Sequence, residues 1–479
     1  MILRNDGVQL VPVPADGAPA IDVYGIMRAW MDADFDVNAC RAIFEEGVKA
    51  AQVPASWVRP EAITEDATQT FVTDEVLFWS SGRAEQWLLD VTRGERAIST
   101  VFSAEHTRDV GAFLRHAFAS GDVNELRRLA EGRLDPSFVE ALVTEPHPAV
   151  ALPRWQPITS DAVGIHRHYH ASLVVRSRTT TLLVDPTRMQ WAQMGTLPLD
   201  VGPVDGVLIS HSHGDHWHVP SILKYAGRAD VPVIVPKVPR RSLLTPDDFA
   251  ETLTMFGQAA LAPEWGSTVT IGDIEIDILP FYGEQPCREP PGPASPDLRN
   301  WGNCYRFNTP DFSATILVDS GADPAGDMRD VLEANTKRRG PVDALLSCAR
   351  TFPCPFFGGL EPYFLTLSFP RLQELYRRLR AGTLPSVTAS PEGIAELCGI
   401  AQARAFLPYA HMWGEGLGKP VEDIAGGADE ETCAESEVIR RIRSQLSGSS
   451  GTTRVVAWNP GDVARMHDGK LDIASYPGS

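Results

Sequence analysis

The chain has little of what several protein classes require. No stretch of its 479 residues approaches the roughly 18 uninterrupted apolar residues of a membrane-spanning helix, so no membrane association is expected. The opening MILRNDGVQLVPVPADG puts Arg4, Asp6 and Pro12 where a secretory leader needs an apolar run, and the cytoplasm is the expected compartment. Cysteine is scarce. The seven residues Cys40, Cys287, Cys304, Cys348, Cys354, Cys398 and Cys433 form no Cys-x-x-Cys pair, which excludes a zinc knuckle. An odd, scattered set also excludes a disulfide framework and leaves reduced, buried thiols. Positive charge is short as well: 43 Lys and Arg face 62 Asp and Glu, a net charge of -19 at pH 7. A field of that sign repels phosphate backbones, so nucleic acid is not an expected partner.

What is present suits a folded chain long enough for two domains. Segments 122–129 and 135–142 each open on an N-cap candidate and carry apolar residues at helical spacing, so residues 1–150 read as an α-rich region. Three prolines within 145–153 mark a boundary. Beyond it, 181–185, 207–210, 231–235, 274–279, 314–319 and 344–347 read as strands, several apolar enough to be buried on both faces. Gly272-Asp273 fits a hairpin turn, and 369–379 and 390–397 read as helices. The expected architecture is a layered α/β catalytic domain over 155–445, preceded by an N-terminal accessory domain over 1–150 and followed by a tail, 446–479.

The strongest local signal is His211-Ser212-His213-Gly214-Asp215-His216, directly after an expected strand. Three imidazoles and a carboxylate within six residues, at a strand's C-terminal end, can converge on one point without help from distant chain. His211 and His213 are expected on one side of the loop, with Asp215 and His216 reaching a second ion. The bland alternative is a histidine-rich surface loop.

This His-x-His-x-Asp-His run resembles the metallo-β-lactamase superfamily, whose fold is an αββα sandwich, and the resemblance extends over roughly residues 160–440. The segments 164–175 and 181–186 resemble the opening strand pair of that fold, in which Asp185 is structural. Val318-Asp319-Ser320-Gly321 resembles the strand that ends on a metal-bridging Asp, and Phe406-Leu407-Pro408-Tyr409-Ala410-His411 resembles the approach to the last ligand. One expected ligand is missing. Where the superfamily usually supplies a third His, the chain reads Pro280-Phe281-Tyr282-Gly283-Glu284, and no His occurs between His218 and His411. Glu284 is the nearest residue able to bind a metal. The resulting set, His211, His213, Asp215, His216, Glu284, Asp319 and His411, is harder and more anionic than an imidazole-rich dizinc site. Two iron ions are therefore expected ahead of two zinc ions.

That departure is similar to the diiron oxygenase branch of the superfamily, typified by the amino-acid β-hydroxylase of chloramphenicol biosynthesis. The resemblance implies an O2-dependent monooxygenase of antibiotic biosynthesis that hydroxylates an amino acid or related intermediate, free or tethered to a carrier protein. An external electron donor would be needed, with Asp319 bridging the irons and Glu284 changing its ligation during the cycle. The N-terminal region would then serve substrate docking or dimerisation, giving a homodimer in the second case. The alternative function on the same loop is a dizinc hydrolase of a lactone, ester, amide or phosphoester.

Other residues invite weaker readings. His166, His168 and His170 alternate and would share one face of a strand, structural in role, with His170 the one nearest the metals. His218 follows the metal run by two residues and is a weaker candidate for touching it. The aromatic, Gly-containing segment 352–364 suits a lid or pocket wall, or equally a packed loop with no catalytic role, and the Pro-rich 286–296 would line the entrance. Arg377, Arg378 and Arg380 read as a solvated helix face.

Overall fold

The computed structural model describes residues 3, 7–13, 21–78, 84–93, 96–119, 122–144, 162–168, 170–186, 201–283, 297–349, 351–356, 359–410, 435–448, 453–456, 458, 461–467 and 470–474. Glu284, His411 and the Pro-rich segment 286–296 lie outside the described residues.

Two sheets form the larger part of the molecule. One has eight strands in the order Lys470–Ala474, Val463–His467, Gly164–Arg167, Leu173–Arg176, Thr181–Val184, Gly206–Leu208, Val233–Ile234 and Ala260–Leu261. The other has seven, in the order Thr268–Ile271, Ile274–Pro280, Asn303–Asn308, Ser313–Val318, Ala344–Ser347, Ala405–Pro408 and Arg454–Val455. Alternation along the strands explains the stacking. Leu173, Val175, Leu182 and Val184 join Ile276, Ile278, Phe307 and Ile316 in one core between the sheets. Their neighbours Val174, Leu183 and Val207 pack outward on Ile222, Tyr225, Phe249 and Leu253. Burial on both faces is why these strands read as continuous apolar runs. The connections Val219–Ala226 and Phe249–Met255 are helices because the strands they join run parallel and need a crossover. The expected hairpin is present, Ile271 pairing with Ile274 around Gly272-Asp273.

The N-terminal region contains the expected helices, including Val123–Ala130 and Pro136–Thr144, and also a three-stranded antiparallel sheet of Val8–Val13, Gln86–Arg93 and Arg96–Ser103. One face of that sheet, Val8, Trp87, Leu89, Val91 and Phe102, is buried with Phe113, Leu126 and Phe138. The helices Val23–Asp32 and Val37–Ala50 pack elsewhere, sharing the central core with the aromatic segment after residue 351. Trp30 is fully buried, its ring 4.9 Å from Phe364 and 5.2 Å from Phe369. The described aromatic residues of that segment, Phe352, Phe356, Tyr363 and Phe364, are therefore packed into the core. The C-terminal segment, expected as a tail, extends both sheets: Arg454–Val455 pairs parallel with Ala405–Pro408 as an edge strand, and Val463–His467 pairs antiparallel with Gly164–Arg167 and carries the edge strand Lys470–Ala474. Among the described residues, five cysteines are buried, and no helix is long and apolar enough to cross a membrane.

Candidate metal centre

Parallel pairing brings the strand ends level. Val184 is in register with Leu208, and Val318 with Ser347 and Pro408 through the adjacent parallel strand, so the residues after each strand emerge on one rim. The backbone there is strained. Non-glycine residues with positive φ include His170 (52°), Asp185 (43°), Val318 (54°), Ala349 (52°) and Ala410 (63°), all at this rim. Such conformations cost about 1–3 kcal/mol each and persist where surrounding structure imposes them. At Val318, a β-branched residue, the strain coincides with a register shift in the ladder, which re-aims the next residue, Asp319.

Asp185 organises the histidine loop. Its buried carboxylate accepts from Ser210 N (2.7 Å), Ser210 Oγ (2.6 Å) and His216 Nδ1 (2.9 Å). Because the Ser210 hydroxyl proton goes to Asp185, its oxygen accepts from His211 Nδ1 at 2.9 Å. Both rings thus turn Nδ1 toward this pair and present Nε2 to the site, the arrangement by which a hydrogen bond on one nitrogen fixes the metal-binding tautomer of the other. His216 Nε2 lies 3.3 Å from Asp319 Oδ2 and 3.4 Å from Asp215 Oδ2, and His211 Nε2 lies 3.7 Å from Asp319 Oδ2. His213 Nδ1 is 3.1 Å from His211 Nε2, and the Phe281 ring stacks on His211 at 5.1 Å. Two donor groups converge within 4.8 Å: His211, His216 and Asp319, and His170, Asp215 and His216.

The structure therefore brings together His211, His213, Asp215, His216 and Asp319. Glu284 and His411 lie outside the described residues, although their preceding neighbours Gly283 and Ala410 end on the same rim: Gly321 N donates to Tyr282 O at 2.6 Å, and Ala410 N donates to His170 O at 3.1 Å. Gly283 (φ 125°) and Gly321 approach so closely that a Cβ on Gly283 would stand 2.6 Å from Gly321 N, so neither position tolerates a side chain. His170 reaches the site, its Nε2 2.7 Å from Asp215 Oδ2. The alternation of His166, His168 and His170 was its only signal. His166 Nε2 instead meets Ala162 O at 2.8 Å, and His168 is buried in the fold. His218 caps the helix Val219–Ala226 and donates from Nε2 to Val8 O at 2.9 Å, tying the N-terminal strand to the larger sandwich.

Electrostatics suit a cation. Burial, reinforced by His216 and His213, holds His211 well below the usual imidazole range, so it stays neutral and able to coordinate. Burial opposes ionisation of Asp215, yet His216 and His170 hold it well below the carboxylate range. His216 is raised despite burial because Asp215, with Asp185 and Asp319, favours its charged form. Without metal, a proton supplies the positive charge these carboxylates demand. A metal ion fits the same donor set and displaces that proton on binding.

Residues 180–302 match the family model described as the beta-lactamase superfamily domain. The fold is that of the metallo-β-lactamase superfamily. The crystal structure of CmlA, a diiron beta-hydroxylase from Streptomyces venezuelae, is similar over 99% of each chain, with 14% identity and a TM-score of 0.54. A mutant of the CmlA beta-hydroxylase is similar over 95% of this chain and 98% of that one, with 15% identity and a TM-score of 0.52. At such identities the likeness is one of fold, and it includes the N-terminal region. No curated protein sequence matches the chain.

Proposed function

We propose that this protein is an O2-dependent diiron monooxygenase that hydroxylates an amino acid or a related biosynthetic intermediate, free or bound to a carrier protein. One observation carries the reading. Strand Ile274–Pro280 delivers Tyr282 and Gly283 against Gly321, two residues beyond Asp319, and the next residue in sequence is Glu284, with no histidine anywhere between His218 and His411. A carboxylate thus follows where an imidazole-rich hydrolytic centre would need its third histidine, and carboxylate-rich dinuclear sites suit iron. The full-length likeness to a diiron beta-hydroxylase supports the same reading.

His211, His213, Asp215, His216 and Asp319, with Glu284 and His411, would hold two iron ions. When bound and reduced by an external donor, such a pair supplies activation of O2 toward a substrate C–H bond. The protein's own contribution is positional and electrostatic. Asp185 and Ser210 lock the His211 and His216 tautomers, His170 holds the Asp215 carboxylate, and Phe281 covers one face of His211. The N-terminal region, which shares its core with the catalytic part, would serve substrate docking or dimerisation.

Metal analysis of protein purified from iron-supplemented cells should find about two irons per chain, and Glu284→His should keep metal bound while losing substrate-dependent O2 consumption. Zinc alone in the active protein, with hydrolysis of a lactone, ester, amide or phosphoester unaffected by removing O2, would replace this reading with the hydrolase.

A further inference from the structure

Asp185 and Ser210 fix the tautomers of His211 and His216, but neither makes a contact of this kind with His213. Its Nδ1 shares the point at which His211 Nε2 is presented, 3.1 Å away. Its other nitrogen, Nε2, lies 3.3 Å from Nδ2 of Asn300, a fully buried residue. Asn300 Oδ1 lies 2.8 Å from Ser212 Oγ, which in turn lies 3.3 Å from Leu244 O. Ser212 is the residue between the two histidines.

A neutral imidazole that coordinates through Nδ1 carries its proton on Nε2, and that buried N–H needs an acceptor. The oxygen and nitrogen of a carboxamide exchange places by a half-turn, so either end of Asn300 can face His213. After that half-turn, Ser212 O–H donates to Leu244 O, the Asn300 amide donates to Ser212 Oγ, and the Asn300 oxygen accepts from His213 Nε2–H. The backbone around Asn300 is pinned on both sides, because Thr245 Oγ1 donates to Arg299 O and accepts from Trp301 N, each at 2.8 Å. The Arg299 guanidinium is itself held among Trp265, Tyr282 and Trp301 at 5.2–5.3 Å.

We propose that Asn300 is the positioning residue for His213, its carboxamide oxygen accepting the Nε2 proton so that Nδ1 is presented beside His211 Nε2. The assignment rests on reading the cluster as a metal centre, but not on which metal fills it. Acceptors of this kind typically change metal affinity 10–100-fold.

The test uses the full chain loaded with zinc, which is diamagnetic. Long-range proton–nitrogen NMR of the histidine rings should show His213 coordinated through Nδ1 with a protonated Nε2. In zinc titrations Asn300→Leu should weaken one of two binding events by 10–100-fold and leave the other unchanged. Asn300→Asp, which keeps an acceptor, should retain both, whereas a purely structural Asn would be disturbed at least as much by a buried charge. A folded Asn300→Leu protein that binds both ions with parental affinity overturns the assignment, as does His213 coordination through Nε2. Should the Leu variant not fold, the parent's tautomer decides alone. A parent chain that takes up no zinc overturns the metal reading itself and this assignment with it.

Discussion

At the scale of single residues, the site divides into donors that cluster in sequence and supports that do not. His211, His213, Asp215 and His216 are legible because four coordinating side chains crowd into six positions after a strand, a density that core packing never requires. Asp185 carries the heaviest support, accepting three hydrogen bonds from the loop. Asp185→Asn keeps the shape but turns an amide donor toward either Ser210 or His216 Nδ1, so the tautomers of His211 and His216 lose their common acceptor. Metal affinity should fall 10–100-fold, read as metal retained after gel filtration, with the melting temperature of the metal-free protein lowered as well. An unchanged metal content would mean that the loop orients itself. Asn300 was harder to see for a physical reason. Asn300 acts on His213 across 87 residues of chain, and an isolated Asn looks like any turn residue. The positive φ at Val318 and Ala410 carries no sequence signal at all, since nothing in Val or Ala prefers that conformation.

At the scale of elements, strand Ile274–Pro280 has two tasks: its end leads to Tyr282 and Gly283, and its middle is fastened by a buried carboxylate. Asp277 accepts from Thr268 Oγ1 (2.7 Å) and Arg339 Nη2 (2.7 Å), with Arg338 Nη2 at 3.0 Å. The two arginines end the helix Met328–Arg339, so the pair clamps helix to sheet. Burial alone would lift the Asp277 carboxyl, but Arg339, Thr268 and Arg338 hold it below the usual range. A depressed folded-state value means that the stabilisation is complete above the unfolded value of about 3.9 and disappears as pH falls through the folded one. Asp277→Asn should therefore cost about 1.5–3 kcal/mol near neutrality. Its melting-temperature deficit should shrink as pH drops from about 5 toward 2, and a deficit constant across that window would show that the carboxylate's charge is not what holds the helix. The strand itself was readable from its apolar run, whereas its clamp was not, because Asp277 in a strand gives no hint that its arginine partner Arg339 lies 62 residues away.

At the scale of the whole molecule, composition and punctuation suggested a two-part chain, and the packing shows how tightly the parts are joined. The prolines at 145–153 mark a change of texture, from helices and a small sheet to the layered sandwich, but cores do not follow chain punctuation. Trp30, Phe44 and Phe71 from the N-terminal region sit in one cluster with Phe364 and Phe369. The strand Val463–His467 closes the far end of the chain onto Gly164–Arg167. Contacts of this kind depend on which faces meet, and short amphipathic elements do not specify that individually. We propose that the N-terminal accessory region and the catalytic sandwich unfold as one unit through the Trp30 cluster. Trp30→Ala removes a ring that touches Phe35, Phe71, Phe364 and Phe369 at centroid distances of 4.9–5.8 Å. The expected cost is about 3–5 kcal/mol. In calorimetry the variant should melt in a single transition displaced as a whole, and substrate-dependent activity should decay at the same lowered temperature. Two transitions, with only the one belonging to residues 1–150 moved, would instead mean that the accessory region folds by itself and leaves the metal centre indifferent to its loss.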